Sequence, residues 1–433
     1  MRKALVTLGA LTLVLTVGAC SYGSSSLSST SSEATQAAPA PTVSDASASP
    51  QAEAKGELML LTYLDYDGPN LVFDDLLTRC SESTGYTFKK LVVPQNELIT
   101  KATQLTATGD APALIVADNN NVATLADIGL LSELSLEGSG LSETDFLSGP
   151  YRSGTYEDVL YGLPMGNNGE VLIYNKKLLD EAGVSVPTTW KELQDAAKKL
   201  TEGDRYGFGY TFTGGETTVW NWLTHLWSNG GSLTDLADSK SVEAANFWTS
   251  FILDGTAPKS SLDSESWDVA PQVIQGNLAM AQVGTWTLPG FLADAKKAGV
   301  EVGIAPQVSP IGDAPVTPFG GEVLTVGKGA EGPAREAINQ CILAYYSDPE
   351  KLTEYSVAMG FVPAYIPGQA AVLAKAPELA VLAEQLKGSR GRTEEVGADY
   401  ATYTTAIGSA LQKIATGVMT PQEAMQEAAD AVK

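Results

Sequence analysis

Between residues 56 and 131 the chain alternates two textures. The apolar runs ELMLLTYL, KLVV and PALIVAD have the length of strands. Between them, NLVFDDLLTRCSESTG and NELITKATQLTATG space apolar positions at helical intervals and end at Gly85 and Gly109. Strand, helix, strand, helix, strand predicts an α/β sheet, mostly parallel. Beyond EVLIYNKKLL, helices dominate. TTWKELQDAAKKLTEG places Thr189 three residues before Glu192, the spacing of a capping box, and stops at Gly203. VWNWLTHLWSNGG, SVEAANFWTSFILDG and QVIQGNLAMAQVG follow, each closing in glycine. EVGIAP and GGEVLTVG bring strands back near 301 and 320. Near the end, Thr420 and Glu423 form a second capping box, with Pro421 at the first helical position.

The first 55 residues follow neither texture. Arg2 and Lys3, an apolar run from Ala4 to Val17, then Gly18 and Ala19 before Cys20 are the three regions of an export signal. That run is too short to span a bilayer well. Leu15 to Cys20 resembles the bacterial lipobox, which implies cleavage after residue 19 and a lipid on the thiol of Cys20. Residues 20–55 are mostly Ser, Ala, Thr and Pro, with too little apolar surface to offset the entropy of folding. They are expected to form a tether that spans roughly 30 Å if flexible. The expected location is the outer face of the cell membrane, with the lipid as the only membrane contact.

Residues 56–433 exceed what one hydrophobic core usually serves, so two domains are expected. A net charge of −24 argues against nucleic acid or anionic headgroups as partners. With Cys20 assigned to the lipid, Cys80 and Cys341 remain; a disulfide and two buried thiols both fit an exported chain.

Catalytic chemistry has few residues to work with. The one histidine, His225, lies in a tryptophan-rich helical pattern and reads as a packed residue. One histidine and two cysteines make a zinc site a poor fit. The stretch from Gly327 to Gly332 matches G-x-G-x-x-G, yet Pro333 follows at once and no second strand with an acid comes after, so it reads as a strand-to-helix loop. Asp118 to Asn121 has the start of a calcium loop, but Ala123 stands where the glycine should be. No cofactor and no metal is expected.

Aromatic and amide side chains in predicted loops are more informative. Tyr63, Asp65 and Tyr66 follow the first strand, Asn119, Asn120 and Asn121 the third, and Asn168, Trp220 and Trp286 lie farther on. Flat rings match the apolar faces of sugars, while amides and carboxylates match their hydroxyls. Trp222 and Trp227, at helical spacing with Leu223 and Leu226, read as core; Trp286, between Gly284 and Pro289, reads as a site residue.

Leu160 to Pro164 followed by Val171 to Leu179, Gly129 to Leu131, Val186 to Leu193, Ser228 to Gly231, Gln275 to Met280 leading to Trp286, and Gly417 to Ala424 occur in an order that resembles the extracellular solute-binding proteins of ABC sugar importers, the maltose-binding-protein-like class. The resemblance covers essentially all of residues 56–433. It implies a two-lobed periplasmic-binding-protein-like fold (type II), each lobe a mostly parallel sheet flanked by helices, with ligand in the cleft between them. Lobe one would comprise 56–164 and 322–366, and lobe two 165–321 and 367–433. Cys80 and Cys341 then share a lobe, which allows a disulfide. By position, Trp220 and Trp286 are implied as stacking rings, and Asn120 and Asn121 as contacts to sugar hydroxyls. Asn168 stands where maltose-binding protein has a carboxylate. Thr404 stands where it has a stacking tryptophan, with Tyr400 and Tyr403 beside it. Gly320, Gly321 and Glu322 fall at the second crossing between lobes.

The function implied is capture of a carbohydrate and delivery to an ABC permease, by a monomer that performs no chemistry. The alternatives are a binding lipoprotein for a polyamine or peptide, and a secreted carboxylate-based glycoside hydrolase. A cleft with many carboxylates and few rings would favour a polyamine, and one with two or more rings plus amides would favour sugar.

Overall fold

The computed structural model describes residues 55–65 and 67–433. The export signal, Cys20, the tether before Lys55, and Tyr66 lie outside the described residues. In chain order the strands are β1 (Gly56–Thr62), β2 (Tyr86–Val92), β3 (Leu114–Asp118), the short hairpin β4 (Thr155–Tyr156) and β5 (Val159–Leu160), and β6 (Gly162–Pro164). Then come β7 (Glu170–Asn175), β8 (Tyr206–Gly209), β9 (Leu278–Gly284), β10 (Val302–Ala305) and β11 (Glu322–Val326). A first sheet has the order β2-β1-β3-β11-β6 and a second the order β10-β7-β9-β8.

Helices cover both faces of each sheet, which is why strands such as LIVAD are apolar throughout instead of alternating. Successive residues still part company, because side chains on a strand point to opposite faces. Leu60 packs with Phe73, Leu324, Ile342 and Tyr345, whereas Leu61 packs with Leu98, Ile115 and Val323. In the second sheet, Leu172 joins Trp222, Trp248 and Leu411, while Val171 and Ile173 join Val273 and Val283. Trp222 and Trp227 are therefore core. Each such fully buried side chain contributes about 1.5–3 kcal/mol relative to exposure.

Strand direction departs from the mostly parallel expectation. β1 runs parallel to β2 and β3, but β11 is antiparallel to both β3 and β6. In the second sheet only β8 and β9 are parallel. The cause is the path of the chain: β6 leads across into β7, and β10 leads back into β11, so the first sheet receives a strand entering from the other side. The crossings lie against each other through paired Asn168 and Gly320, whose backbones exchange two hydrogen bonds of 3.0 Å. At the second crossing Gly321 has φ of +132°, and a Cβ there would sit 2.1 Å from the carbonyl oxygen of Gly166, so only glycine fits.

Local signals match the sequence where they are short-range. Thr189 with Glu192, and Thr420 with Glu423, form reciprocal capping boxes at the starts of helices Trp190–Leu200 and Pro421–Ala431. The loop 327–332 connects β11 to helix Pro333–Ser347. Cys80, on helix Asp67–Thr84, and Cys341, on helix Pro333–Ser347, are joined by a disulfide with Cα atoms 5.3 Å apart, within the usual range.

Candidate functional site

The ends of both sheets that face each other carry the polar chemistry. Antiparallel pairing of β3 with β11 sets Asp118 opposite Glu322, and Tyr63 follows the end of β1, donating from its hydroxyl to Oε1 of Glu322 at 2.8 Å. On the other side, β9 ends at Gly284 and turns through Thr285–Thr287, which delivers Trp286. Helix Gly215–Ser228 brings Glu216 in its first turn and Trp220 one turn later. The two indole rings stack with centroids 5.3 Å apart and planes 25° from parallel. A Cβ on Gly284 would lie 2.2 Å from the Trp286 ring, so glycine at that position is what lets the ring lie down over the strand end.

These groups line a cavity of about 250 Å³, together with Gln95, Asn168, Glu265, Trp267, Gly320 and Arg392. Four rings thus face it: Tyr63, Trp220, Trp267 and Trp286. Trp220 is 5% exposed and Trp267 45%. Four carboxylates face it as well, but they are not equivalent. Asp118 accepts from Gln95 Nε2 at 3.0 Å and from Arg392 Nη1 at 3.2 Å, and its other oxygen accepts from Arg392 Nη2. Glu216 accepts from Arg392 Nη1 as well. Arg392, 3% exposed and poised over the Trp220 ring at 5.9 Å, is held in its charged form by these two carboxylates against the cost of burial. Among the described residues no cation bonds Glu322: burial first, and the charge on Asp118 second, push its carboxyl up to about 7. Its Oε2 and the indole Nε1 of Trp220 are buried without a protein partner. The site thus offers flat apolar rings beside unengaged donors and acceptors.

Of the residues expected from sequence, Tyr63, Asn168, Trp220, Trp286, Gly321 and Glu322 come together in this cavity. Asn119 lies beneath it, accepting from Arg392 Nη2 and donating to the carbonyl of Phe319 at 3.3 Å. Asn120 and Asn121 line a different, adjacent cavity of about 620 Å³. Asp65 is exposed and faces neither cavity. Tyr403 lines neither cavity: helix Tyr400–Ala415 turns Tyr400 and Thr404 toward the second one, and Tyr403 packs on the core beside Ile407. Asp118, Gln95, Glu216, Glu265, Trp267 and Arg392 were not singled out as site residues. Only Trp267 carried a signal of the kind used, an indole at a helix start.

His225 lies away from the cavity, edge-on to Phe247 at 5.1 Å, and burial pushes it down to about 3, so it is neutral. Among the described residues no group of three or more His, Cys, Asp or Glu is placed to hold a metal. Glu170, at the start of β7, is buried with no cation beside it among the described residues, and burial, opposed only by Gln282, pushes it up to about 8. A raised acid holds its proton in the folded state while the unfolded chain has already lost it. Stability from this group is therefore full below about 4.5 and declines as pH rises to about 8. Glu170→Gln is expected to gain on wild type by a few kcal/mol, roughly, between pH 4.5 and 8. Melting curves of both proteins across that window test it, and a pH-independent difference would contradict it.

The bacterial extracellular solute-binding protein family matches this chain over residues 75–379. A protein of Brucella abortus named as a binding protein is 27% identical over 209 residues, which are 46% of this chain and 51% of that one. The chain thus spans about half the length of such curated relatives. The galactooligosaccharide-binding protein of Bacillus subtilis is 24% identical over 337 residues, 75% of this chain and 77% of that one. Among solved structures, an ABC transporter solute-binding protein from Thermotoga lettingae bound with alpha-D-tagatose has a TM-score of 0.76 at 23% identity. The match covers 87% of this chain and 99% of that one, so the two share a fold.

Proposed function

Because the chain belongs to the bacterial extracellular solute-binding protein family, we propose that it captures a carbohydrate between its two lobes and delivers it unchanged to an ABC permease. The lobes are those divided at 164, 321 and 366, and closure over the ligand is by hinge bending at the crossings. The chain acts as a monomer, and a lipid on Cys20 keeps it at the outer face of the membrane near its transporter.

The observation that carries the reading is the stacked pair Trp220 and Trp286, facing a cavity that also holds Tyr63, Trp267, Asn168 and Glu322. A sugar ring laid on an indole buries its C–H face, and its hydroxyls then reach the amide of Asn168 and the free oxygen of Glu322. Four carboxylates in one cavity also suit a polyamine. Arg392 neutralises two of them, however, and Tyr63 bonds a third, which leaves an array closer to a polyol site than to a cation trap. The names of the Bacillus and Thermotoga proteins, one for galactooligosaccharide and one with bound tagatose, agree with sugar.

Melting of the protein against a panel of mono- and oligosaccharides, polyamines and short peptides tests this, since a ligand that binds only the folded state raises its melting temperature. The expected result is a shift with one class of sugar, recovered intact. A shift with a polyamine or peptide alone would overturn the sugar reading, and breakdown of an oligosaccharide would overturn the non-enzymatic one.

A further inference from the structure

Two cavities meet at the facing ends of the sheets, and a row of bonded side chains stands between them. Gln95, Glu216, Thr217 and Glu265 line both. Asp118 and Arg392 face only the smaller, whereas Tyr400 and Thr404 face only the larger. The row runs from Gln95 to Asp118 on the first sheet, through the guanidinium of Arg392, to Glu216 on the second side. There Glu216 accepts from the hydroxyls of Tyr400 and Thr404, each at 3.2 Å. Every link is a hydrogen bond, and the central one is a buried cation held by two anions. Such a group resists displacement, because losing one partner leaves an uncompensated charge.

The larger cavity has its own sugar-compatible chemistry. Asn96, Asn120 and Asn121 supply amides, Thr124 and Thr405 hydroxyls, and Oδ1 of Asn120 is buried with no protein partner. Among the described residues no tryptophan lines it. Arg392 bonds Glu216 and, through Asp118, is linked to Gln95, two of the four residues that face both cavities, so it braces the wall between a ligand on Trp220 and Trp286 and these groups.

We infer that Arg392 sets the length of the sugar this protein accepts, closing the tryptophan compartment at one end and keeping the amide-lined compartment out of use. This rests on the sugar reading of the same cleft. The smaller cavity, at about 250 Å³, lies below the roughly 300–1,000 Å³ usual for ligand pockets, and suits a short sugar. Joined to its neighbour, it would make a groove long enough for an oligosaccharide. A few added hydrogen bonds there would favour longer ligands by about tenfold or more.

The test is calorimetry of the full chain against three length series: glucose to maltopentaose, xylose to xylopentaose, and galactose to β-1,4-galactotetraose. In whichever series binds, the affinity of wild type is expected to level off by the disaccharide, changing less than about twofold thereafter, whereas Arg392→Ala prefers the tetrasaccharide to the disaccharide by about tenfold. Arg392→Lys, which keeps a cation but loses the two-pronged bond, is expected to fall between them. Wild-type affinity that climbs with every unit through the tetrasaccharide would overturn the inference, whether or not the variants fold. So would a folded Arg392→Ala with the same flat profile as wild type. Binding of no sugar in any series would mean that the sugar reading itself has failed, and the length rule with it.

Discussion

Trp286→Ala is expected to weaken sugar binding by about 1–3 kcal/mol, roughly five- to 150-fold, with the fold retained. The ring sits at the end of β9, half-buried, with one face on Trp220 and its edge over Gly284. Most of what it can lose on truncation is contact with the cavity and with its partner ring. The core clusters of the second sheet do not include it. Trp286→Phe keeps a smaller flat surface and should recover part of the loss. Titration calorimetry with the sugar identified from the panel measures both, and circular dichroism confirms that the variants are folded. Affinity at the wild-type level in the alanine variant would remove Trp286 from the binding site.

Loss of the bond between Cys80 and Cys341 is the second large effect, and it falls on stability. The two sulfurs tie helices that are 261 positions apart in sequence, so the unfolded chain with the bond intact is confined to a very long loop. Removing such a link costs about 2–5 kcal/mol. Cys80→Ala with Cys341→Ala should unfold at correspondingly lower denaturant, with affinity for ligand little changed, since neither residue lines the cavity. Dithiothreitol should lower the melting temperature of wild type and leave the double variant where it was. That comparison separates the bond from the packing of two buried side chains. Free thiols at both positions in denatured, unreduced protein would contradict it.

How much of this was readable in advance depended on the range of the interactions involved. Thr189 and Thr420 announce their helices because a capping box is complete within four residues. Trp222 and Trp227 read as core because helical spacing places them with Leu223 and Leu226. Strand direction was not readable, since β11 becomes antiparallel to β3 only when the chain returns from the second sheet. The rings Tyr63 and Trp286 were legible as aromatic residues near strand ends, whereas Trp220, expected in a loop, comes from a helix. Arg392 was not. It sits in SRGRTEE, which has the composition of a solvated loop, and only Asp118 and Glu216, 274 and 176 positions away, make it a buried cation. Glu216 reads as an ordinary acid in the first turn of a helix, and Asp118 as the start of a failed calcium loop. Their function as anchors for one guanidinium exists only in three dimensions. Which face of helix Tyr400–Ala415 looks toward the second cavity was also not readable: Tyr400 and Thr404, four apart, share that face, and Tyr403 packs on the core.

The central claim is that one sugar sits on Trp286 and Trp220 in the cleft between the sheets. The crystal structure of the protein grown with the sugar that raises its melting temperature tests it most directly. The account predicts a sugar ring lying against the Trp286 indole, with a hydroxyl bonded to Oε2 of Glu322 and another to Asn168. Sugar bound elsewhere on the chain, or in this cleft without contact to either indole, would contradict it.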